Sequence, residues 1–388
     1  MTVPTPVPTA PAAVVGPAPA SPVDSARRDA LAGRLFAATL GAFDLLAVQL
    51  GLELGLYAAL RDGGPASAPE LADRAGIDRR YAREWLEHQA VAGIVDVIDE
   101  THGADGVEAA RDADERRYAL PAAHVDVLLE PDHLSTMAPM PLVLLAATRA
   151  WPELIRAYRT GGGVDWNDYP LISEAQEAAN RPVFRHLLGQ EWLPSIPDVH
   201  ERLTAGGARV ADVACGGGWS TIAMARAYPA TTFVGLDLDA EAIGRARQKA
   251  EEAGVVDRVS FHVVDAADHS LDGQFDLVTI FEAVHDMAQP AGVLAAVRAL
   301  LRPGGTVLVM DEKVAESFTA PGDEVERLMY GYSLFFCLAN GLADQPSVGT
   351  GTVMRPSTLA AYAREAGFAT VSVLPIDHEV FRFYRLDP

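Results

Sequence analysis

The chain has 388 residues, of which 49% are apolar and 22% are charged, a composition typical of a soluble globular protein large enough for two domains. A formal net charge of −22 opposes attraction to nucleic-acid phosphates and to anionic membrane surfaces, so we expect neither as a partner. The two cysteines, Cys215 and Cys337, stand far apart without a metal-type spacing, so we expect a reducing compartment, no disulfide and no metal.

The first segment of the chain is rich in proline. Residues 1–22 hold seven prolines among Ala, Val and Thr and carry no charged side chain, which excludes the basic start of a secretory signal. We therefore predict a disordered tail over residues 1–24 and a cytoplasmic protein.

An apolar stretch follows, LFAATLGAFDLLAVQLGLELGLYAAL (35–60), and it is long enough to raise the question of a membrane span. Asp44, Gln49 and Glu53 would lie near its middle, where charged and polar groups are costly in lipid. We predict instead a pair of helices that is buried or that forms a dimer.

The next segment, SAPELADRAGIDRRYAREWLEHQAVAGIVDVID (67–99), has the pattern of a helix-turn-helix followed by a strand. A first helix is predicted from Pro69, a turn at Gly76, a second helix through Trp85, and a strand after Gly93. This order predicts a winged helix within a domain over 25–125.

The wing would be acidic. Its tip would be the run at 99–115, and RRYAL (116–120) would be its returning strand. The second helix, 78–92, balances three arginines with three acidic residues, whereas helices that read DNA present a basic face. We therefore favour dimerisation over DNA binding for this domain.

Helical periodicity continues over 126–200, broken by the loop GGGVDWNDYP (161–170). From residue 209 onward, strand-like and helical segments alternate. The strand-like segments are RVADVA, TTFVGLD, VSFHVVD, FDLVTIFEAV and TVLVMDE. This alternation predicts an α/β fold with a doubly wound parallel sheet.

The stretch RVADVACGGGWSTIAMARAYP (209–229) passes from a strand through three glycines into a helix, a turn at which backbone can approach a ligand. A dinucleotide fingerprint starting at Gly216 would need Gly or Ala where Thr221 stands, which disfavours nicotinamide cofactors. Asp237 closes the second strand, where it can accept hydrogen bonds from both ribose hydroxyls. Asp265 closes the third strand, where it can accept one from an adenine amine.

With the Pro-Gly-Gly turn of LRPGGTVLV (301–309), this series resembles the class I S-adenosylmethionine-dependent methyltransferases. DVACGGG is similar to their DxGxGxG motif with Ala214 as the first glycine, and AGFATVSVLPIDHEVFRFYRL is similar to their terminal antiparallel strand pair. The resemblance implies a catalytic domain over 201–388, a Rossmann-like seven-stranded sheet in the order 3-2-1-4-5-7-6, and S-adenosyl-L-methionine as the cofactor. The implied cofactor-binding residues are Asp212, Ala214, Gly216, Gly218, Asp237, Leu238, Asp265, Ala266, Phe281 and Glu282.

The N-terminal half is similar to that of small-molecule O-methyltransferases from bacteria and plants, whose winged-helix region forms a dimer and roofs the active site. The similarity implies a homodimer and a connector over 126–200 that covers the active site.

FEAVHDMAQP (281–290) follows the fourth strand, and its His285-Asp286 pair resembles that of plant-type O-methyltransferases, in which the histidine deprotonates a hydroxyl. Glu312 matches a carboxylate that orients the histidine in that family. Met287 replaces the family's tryptophan, and a second orienting carboxylate, expected near VMRPSTLAAY, has no counterpart in the sequence. A capping role for His285, or a backbone contact with the cofactor, is the alternative.

Three segments supply candidates for contact with the acceptor: the loop 161–170, the helical segment 180–194, and the aromatic helix 326–341. The candidates are Trp166, Tyr169, Arg181, His186, Trp192, Met329, Tyr332 and Phe336. Core packing would explain such an aromatic stripe equally well. As a pocket, it would suit a flat, largely apolar molecule.

The sequence thus predicts methyl transfer to a small molecule, most simply to a hydroxyl of an aromatic or apolar natural product. Carbon or nitrogen methylation of an aromatic ring is one alternative. A winged-helix transcriptional regulator that senses the cofactor is another, and a rearrangement without methyl transfer is a third.

Overall fold

A computed structural model describes residues 22–98, 113–265 and 271–388. The N-terminal region contains α1 (Pro22–Glu53), α2 (Leu56–Gly63), α3 (Ala68–Ala75), α4 (Arg79–Val91), β1 (Asp96–Val97) and β2 (Tyr118–Ala119). The connecting region contains α5 (Ala122–Leu128), α6 (Met140–Arg149), α7 (Trp151–Thr160), α8 (Ile172–Val183), a π-helical segment (Phe184–Trp192) and α9 (Pro197–Ala205).

The described part of the chain starts within helix α1, at Pro22. The last three residues of the predicted tail are therefore helical, while residues 1–21 lie outside the described residues. Gly55, in a left-handed conformation with φ 68°, separates α1 from α2, which confirms two helices over the apolar stretch. By length and composition α1 could cross a membrane. Of its most apolar stretch of 18 residues, 11% is buried against the rest of the protein.

The winged helix is confirmed. Ser67 and Glu70 form a capping box at the start of α3, and Gly76, with φ 67°, ends that helix. The Asp78 carboxylate caps α4 by accepting from two backbone N–H groups of its first turn. Strands β1 and β2 pair antiparallel as the two sides of the wing, and of the predicted tip at 99–115 residues 99–112 lie outside the described residues.

The C-terminal region is built on a seven-stranded sheet. Its strands are β3 (Arg209–Val213), β4 (Thr232–Asp237), β5 (Val259–Val263), β6 (Phe275–Phe281), β7 (Leu301–Glu312), β8 (Thr370–Val373) and β9 (Phe381–Asp387). The order is β5-β4-β3-β6-β7-β9-β8, with β9 antiparallel to both of its neighbours and the other pairs parallel. Counted within the sheet this is 3-2-1-4-5-7-6, so the predicted order is confirmed.

Helices cover both faces of the sheet. They are α10 (Trp219–Ala227), α11 (Ala240–Ala253), α12 (Pro290–Leu300) and α15 (Pro356–Glu365). An excursion after β7 contains α13 (Glu324–Tyr332), a second π-helical segment (Ser333–Cys337) and α14 (Leu338–Gly341), which together fulfil the predicted aromatic helix.

The order of the strands determines where a site can form. Strand β6 is buried along its whole length, with Leu277 and Phe281 in the hydrophobic cluster on one face and Val278 and Ile280 in the cluster on the other. The chain runs from β3 outward to β4 and β5, then returns to β6 on the opposite side of β3. Ligands of open α/β sheets bind at the carboxyl ends of the strands beside such a reversal.

Candidate active site

The turn between β3 and α10 has an unusual backbone. Ala214, Gly216 and Gly218 all have positive φ, at 56°, 50° and 77°. An alanine in this region is strained by about 1 kcal/mol relative to glycine, so Ala214 adopts the conformation of a glycine without being one. The departure from the DxGxGxG motif therefore leaves the shape of the turn intact.

Asp212 holds this turn in place from inside the protein. Its Oδ2 accepts hydrogen bonds from the hydroxyls of Ser220 and Thr221, both at 2.6 Å, and its Oδ1 accepts one from Thr279 at 2.7 Å. Burial raises the pKa of Asp212 despite these donors. The carboxylate fastens the turn to α10 and β6 from beneath, and Thr221, which disfavoured a nicotinamide site, is one of its donors.

Asp237 ends β4 on the open side of the turn. Its Oδ2 accepts from the backbone N–H of Gly216 at 2.7 Å and its Oδ1 from that of Asp239 at 2.9 Å. The next residue, Leu238, is 72% exposed and offers an apolar surface beside the carboxylate. Asp265 follows the neighbouring strand β5, and the predicted Ala266 lies outside the described residues.

Helix α8 is fastened to the glycine turn by charged side chains. Glu177 forms an ion pair with Lys249 and accepts from Arg245 Nε at 2.9 Å, and Lys249 also donates to the carbonyl of Gly217 at 3.1 Å. A Cβ atom at Gly217 would overlap the Glu177 carboxyl, so this glycine allows the close approach. Glu177, Arg245 and Lys249 line a cleft of about 550 Å³, and Trp166 lines it as well.

His285 lies beyond the carboxyl end of β6, in a short 3-10 turn, and is only 2% exposed. Its Nδ1 is 2.8 Å from Asp311 Oδ1 and 3.1 Å from Glu312 Oε2. Its Nε2 is 3.5 Å from Asp286 Oδ1, and Cys337 also contacts the ring. The hydrogen bond to Asp311 fixes the ring with Nδ1 toward the sheet.

The carboxylates change the basicity of this ring. Burial alone would lower the pKa of His285, but Asp311, Glu312 and Asp286 outweigh it and raise that pKa well above its ordinary value of 6.5. Burial raises the pKa of Glu312 well above its usual range, whereas His285 holds the pKa of Asp311 below its own. These carboxylates favour the charged form of the ring, and Asp311 is the closest of them.

The same side chains also have metal-binding donor types. Donor atoms of His285, Asp311 and Glu312, and separately of His285, Asp286 and Cys337, lie within 4.8 Å of one another. The hydrogen bond between His285 and Asp311 explains the short spacing without an ion.

Glu282 directly follows β6, three residues before His285. It has φ 53°, a left-handed conformation that is rare for a residue with a side chain. Gln176 of α8 donates to its Oε2 at 2.9 Å, and Asn180 lies near the same carboxyl. Burial raises the pKa of Glu282 to about 7. Phe281, just before it, is buried and stacks on Phe184 with ring centroids 5.8 Å apart.

Several of the predicted acceptor-contacting residues come together above this edge of the sheet. The ring of Phe336 lies 5.2 Å from Tyr169 and 6.0 Å from Tyr332, and Met329 is buried in the preceding helix. Burial raises the pKa of Tyr332 to about 12, and Glu282 and Glu312 add to the shift, so this phenol lies near both carboxyls. Trp166 donates to Ser173 Oγ at 2.8 Å on the rim of the cleft.

Two of the predicted acceptor contacts, His186 and Trp192, lie outside the cleft of Trp166, whereas Arg181 borders that cleft but is paired with another residue. Arg181 forms a two-pronged ion pair with Asp132, at 2.6 and 2.9 Å, and stacks on Trp219. His186 lines a separate small cleft on the other side of Trp219. Trp192 packs in the core, 4.8 Å from the ring of Phe383. The sequence alone does not distinguish an apolar or charged residue that faces a ligand from one that packs against the protein.

Sequence reasoning also missed residues. The sequence has no second orienting carboxylate near VMRPSTLAAY, but Asp311 provides a second carboxylate beside His285. The end of β7 brings both Asp311 and Glu312 to this ring. Two adjacent acids at the end of an otherwise apolar strand, in VMDEKV, could have indicated that Asp311 belongs to the site. Gln176 and Glu177 reach the sheet from a helix over 100 positions before Glu282, and a single sequence carries no signal for that contact.

Two family models match the chain. One, described as "Methyltransferase domain", matches residues 210–305, and one, described as "Rv2258c-like winged HTH domain", matches residues 42–104. The ubiquinone biosynthesis O-methyltransferase of Aromatoleum aromaticum is 34% identical over 174 residues, which cover 44% of this chain and 68% of that protein. The protein of the same name from Thiobacillus denitrificans is 31% identical over 193 residues, which cover 49% and 77%.

Solved structures share the architecture of both halves. The mitomycin 7-O-methyltransferase MmcR superposes with a TM-score of 0.68 at 20% identity, covering 94% of this chain and 99% of that one. Human N-acetylserotonin methyltransferase in complex with SAM gives 0.68 at 18% identity, covering 92% and 97%. PigF with SAH gives 0.68 at 21% identity, covering 92% and 99%. At these identities the likeness shows the fold alone.

The residues present fit S-adenosylmethionine. Apart from the chain neighbours of Gly216, no atom of the described residues lies within 4 Å of the position where a Cβ would stand on it, so these residues leave the backbone there open to a ligand. Asp237 and the exposed Leu238 flank it with an acceptor suited to ribose and a surface suited to a base. With the match to curated relatives, these observations lead to one assignment: the chain belongs to the S-adenosylmethionine-dependent O-methyltransferase family and is a methyltransferase with an N-terminal winged-helix domain.

Proposed function

We propose that the chain methylates a hydroxyl group of a small, largely apolar molecule, with His285 as the general base. The observation that carries the proposal is the hydrogen bond from His285 Nδ1 to Asp311, which turns Nε2 away from the sheet. S-adenosylmethionine supplies an electrophilic methyl group on a good leaving group, so the protein has to align the acceptor and take up its proton. Once deprotonated, Nε2 accepts that proton, and Asp311 stabilises the imidazolium that results.

The surroundings of His285 favour a flat, apolar acceptor. Tyr169, Tyr332 and Phe336 supply aromatic surface, and Glu282 and His285 supply the polar groups. The connector at 126–200 acts as the cover, because Gln176 donates to Glu282 and the backbone N–H of Val164 donates to the carbonyl of Ala339 at 3.0 Å. Opening this cover would admit the acceptor.

A panel of matched acceptors tests this function. Phenols, anilines and ring-carbon nucleophiles on the same aromatic skeleton would be incubated with the protein and isotope-labelled S-adenosylmethionine, and the labelled position read by mass spectrometry and NMR. We expect the label on oxygen. Label on carbon or nitrogen alone would instead support ring methylation, and unlabelled rearranged products would support a rearrangement.

The proposed cofactor contact of Asp237 leads to a prediction. Asp237→Ala should weaken S-adenosylmethionine binding by about 1.5–3 kcal/mol, or roughly 10- to 150-fold in Kd, because a charged acceptor for the ribose hydroxyls is lost. Calorimetry measures this directly. Asp257→Ala, which removes a 73% exposed carboxylate of a nearby loop, is the control and should bind normally. An unchanged Kd in folded Asp237→Ala would remove this residue from the site.

We further propose that α1 is a dimer interface and that the protein is cytoplasmic. Large apolar side chains of α1 stand exposed at helical spacing: Leu31, Leu35, Phe36, Leu40, Phe43 and Leu50. An apolar surface of this kind on a folded protein marks an association site. The free, buried cysteines suit a reducing compartment.

The winged helix is better suited to assembly than to DNA. Three arginines of α4 are already paired with acidic neighbours, in Arg79–Asp73, Arg80–Glu84 and Arg83–Glu87. Phosphate binding would have to displace those carboxylates. We therefore propose that this domain and α1 join two subunits.

The dimer can be tested by placing a charge on α1. Phe36→Glu, at a side chain 66% exposed, should convert a dimer to a monomer because an unpaired carboxylate would be buried between subunits. Sedimentation velocity reports the change. Val256→Glu, at a 57% exposed apolar residue beside β5, should leave the dimer intact. A monomeric wild type would overturn the proposal.

A further inference from the structure

Glu282 has properties that neither packing nor the base chemistry of His285 requires. Its backbone is held at φ 53°, where a glycine would be relaxed, yet the residue carries a long acidic side chain. Its Oε2 is held by Gln176, while its Oε1 is buried and, within the part of the chain that the structure describes, accepts no hydrogen bond of good geometry. A buried, unpartnered carboxylate oxygen is costly unless a ligand completes its surroundings.

The position of Glu282 indicates which ligand that is. The cofactor turn, at Gly216, follows β3, the strand adjacent to β6, and His285 lies three residues beyond Glu282. Glu282 therefore follows the strand adjacent to the cofactor turn and precedes His285, and its carboxyl would be available to a cofactor bound at this edge of the sheet. The sulfonium is the cationic centre of the cofactor and disappears when the methyl group leaves.

The charges around Glu282 leave room for a cation. The titratable groups that face it are His285 from its own loop, Asp311 from β7, and Tyr332 from α13. The single positive charge among them, on His285, lies nearest Asp311 and Glu312. His285 also acts to lower the pKa of Glu282, but among the described residues no cationic side chain forms an ion pair with this carboxyl.

We propose that Glu282 is the counter-charge for the sulfonium of S-adenosylmethionine, so that it distinguishes the charged cofactor from the neutral product S-adenosylhomocysteine. Gln176 is its positioning residue, because the hydrogen bond from α8 sets the direction of the carboxyl. The inference rests on the proposed direction of methyl transfer toward His285. S-adenosylhomocysteine has no sulfonium charge, so the attraction to Glu282 ends with methyl transfer. The loss of this attraction favours release of the product.

Calorimetry tests the proposal without any acceptor. The readout is the ratio of Kd for S-adenosylhomocysteine to Kd for S-adenosylmethionine, measured at pH 6 and pH 8. Because burial raises the pKa of Glu282 to about 7, the carboxylate fraction rises between these values, and the wild-type ratio should rise with it. In Glu282→Gln the ratio at pH 8 should fall about five- to tenfold and lose its dependence on pH.

Two further variants make the result decisive. Glu282→Asn also removes the charge but tolerates positive φ better, so it covers the outcome in which Glu282→Gln is poorly folded. Glu191→Gln removes an exposed carboxylate of the π-helical segment and should keep the wild-type ratio. A wild-type ratio in both Glu282 variants, or an equal fall in Glu191→Gln, would overturn the assignment. Failure of hydroxyl acceptors in the labelling panel would leave this ratio unaffected.

Discussion

Replacing His285 by alanine is expected to lower kcat by about 10²–10⁴-fold while leaving the Kd of S-adenosylmethionine unchanged. In the proposed mechanism cofactor affinity depends on the glycine turn and Asp237, whereas the proton of the acceptor goes to His285 Nε2. Binding and turnover should therefore separate in this variant. Calorimetry gives the Kd, and initial rates with the best acceptor from the labelling panel give kcat.

Neighbouring variants define the role of each carboxylate. Asp311→Asn should reduce kcat more than Glu312→Gln, because the Nδ1 hydrogen bond at 2.8 Å goes to Asp311 while Glu312 lies farther away at 3.1 Å. His262→Ala, at an exposed histidine of β5, serves as the control and should retain full activity. Near-normal turnover of folded His285→Ala would make His285 structural and would favour an acceptor that needs no base, such as a ring carbon.

Replacing Asp212 by alanine is expected to lower the free energy of unfolding by about 3 kcal/mol. The hydroxyls of Ser220, Thr221 and Thr279 would each lose a charged acceptor inside the protein, at about 1 kcal/mol or more apiece. The urea midpoint should fall with little change in m. Because these bonds fasten the turn to α10 and β6, cofactor affinity should fall as well.

Asp239→Ala provides the matched comparison for this loss. Asp239 is an acid of the neighbouring loop that caps α11 through hydrogen bonds at 2.8 and 3.1 Å, and its removal should cost about 1 kcal/mol. Equal destabilisation by the two variants would contradict the view that Asp212 is the main anchor of the turn.

Much of the fold could be predicted because each strand of the sheet leaves a local signal. Strand β6 is buried on both faces and is therefore apolar at five of its seven positions, and the glycine turn follows β3 directly. Gly216 and Asp237, which the sequence predicted to lie at the same site, are joined by a hydrogen bond in the structure. Features of this kind depend on residues close in sequence or on regular alternation.

The parts of the site that escaped prediction depend on contacts between distant segments. The contact between Asp311 and His285 exists because β6 and β7 lie side by side, and the order of residues in the sequence does not reveal it. Trp192 was predicted to contact the acceptor but packs against β9, because an indole has the same signal in a core as in a pocket. Arg181 was predicted to contact the acceptor, and in the structure its guanidinium is paired with Asp132, a residue 49 positions earlier in the chain.

The dependence of kcat on pH, at saturating S-adenosylmethionine, tests the central claim most directly. The neighbouring carboxylates raise the pKa of His285 well above 6.5, so the neutral imidazole that a base requires becomes populated only as pH rises through that higher value. The account predicts that kcat increases with pH from neutrality upward and then levels off, and that His285→Ala loses this limb. A wild-type kcat that is flat from pH 6 to pH 9, or a variant that keeps the same limb, would contradict it.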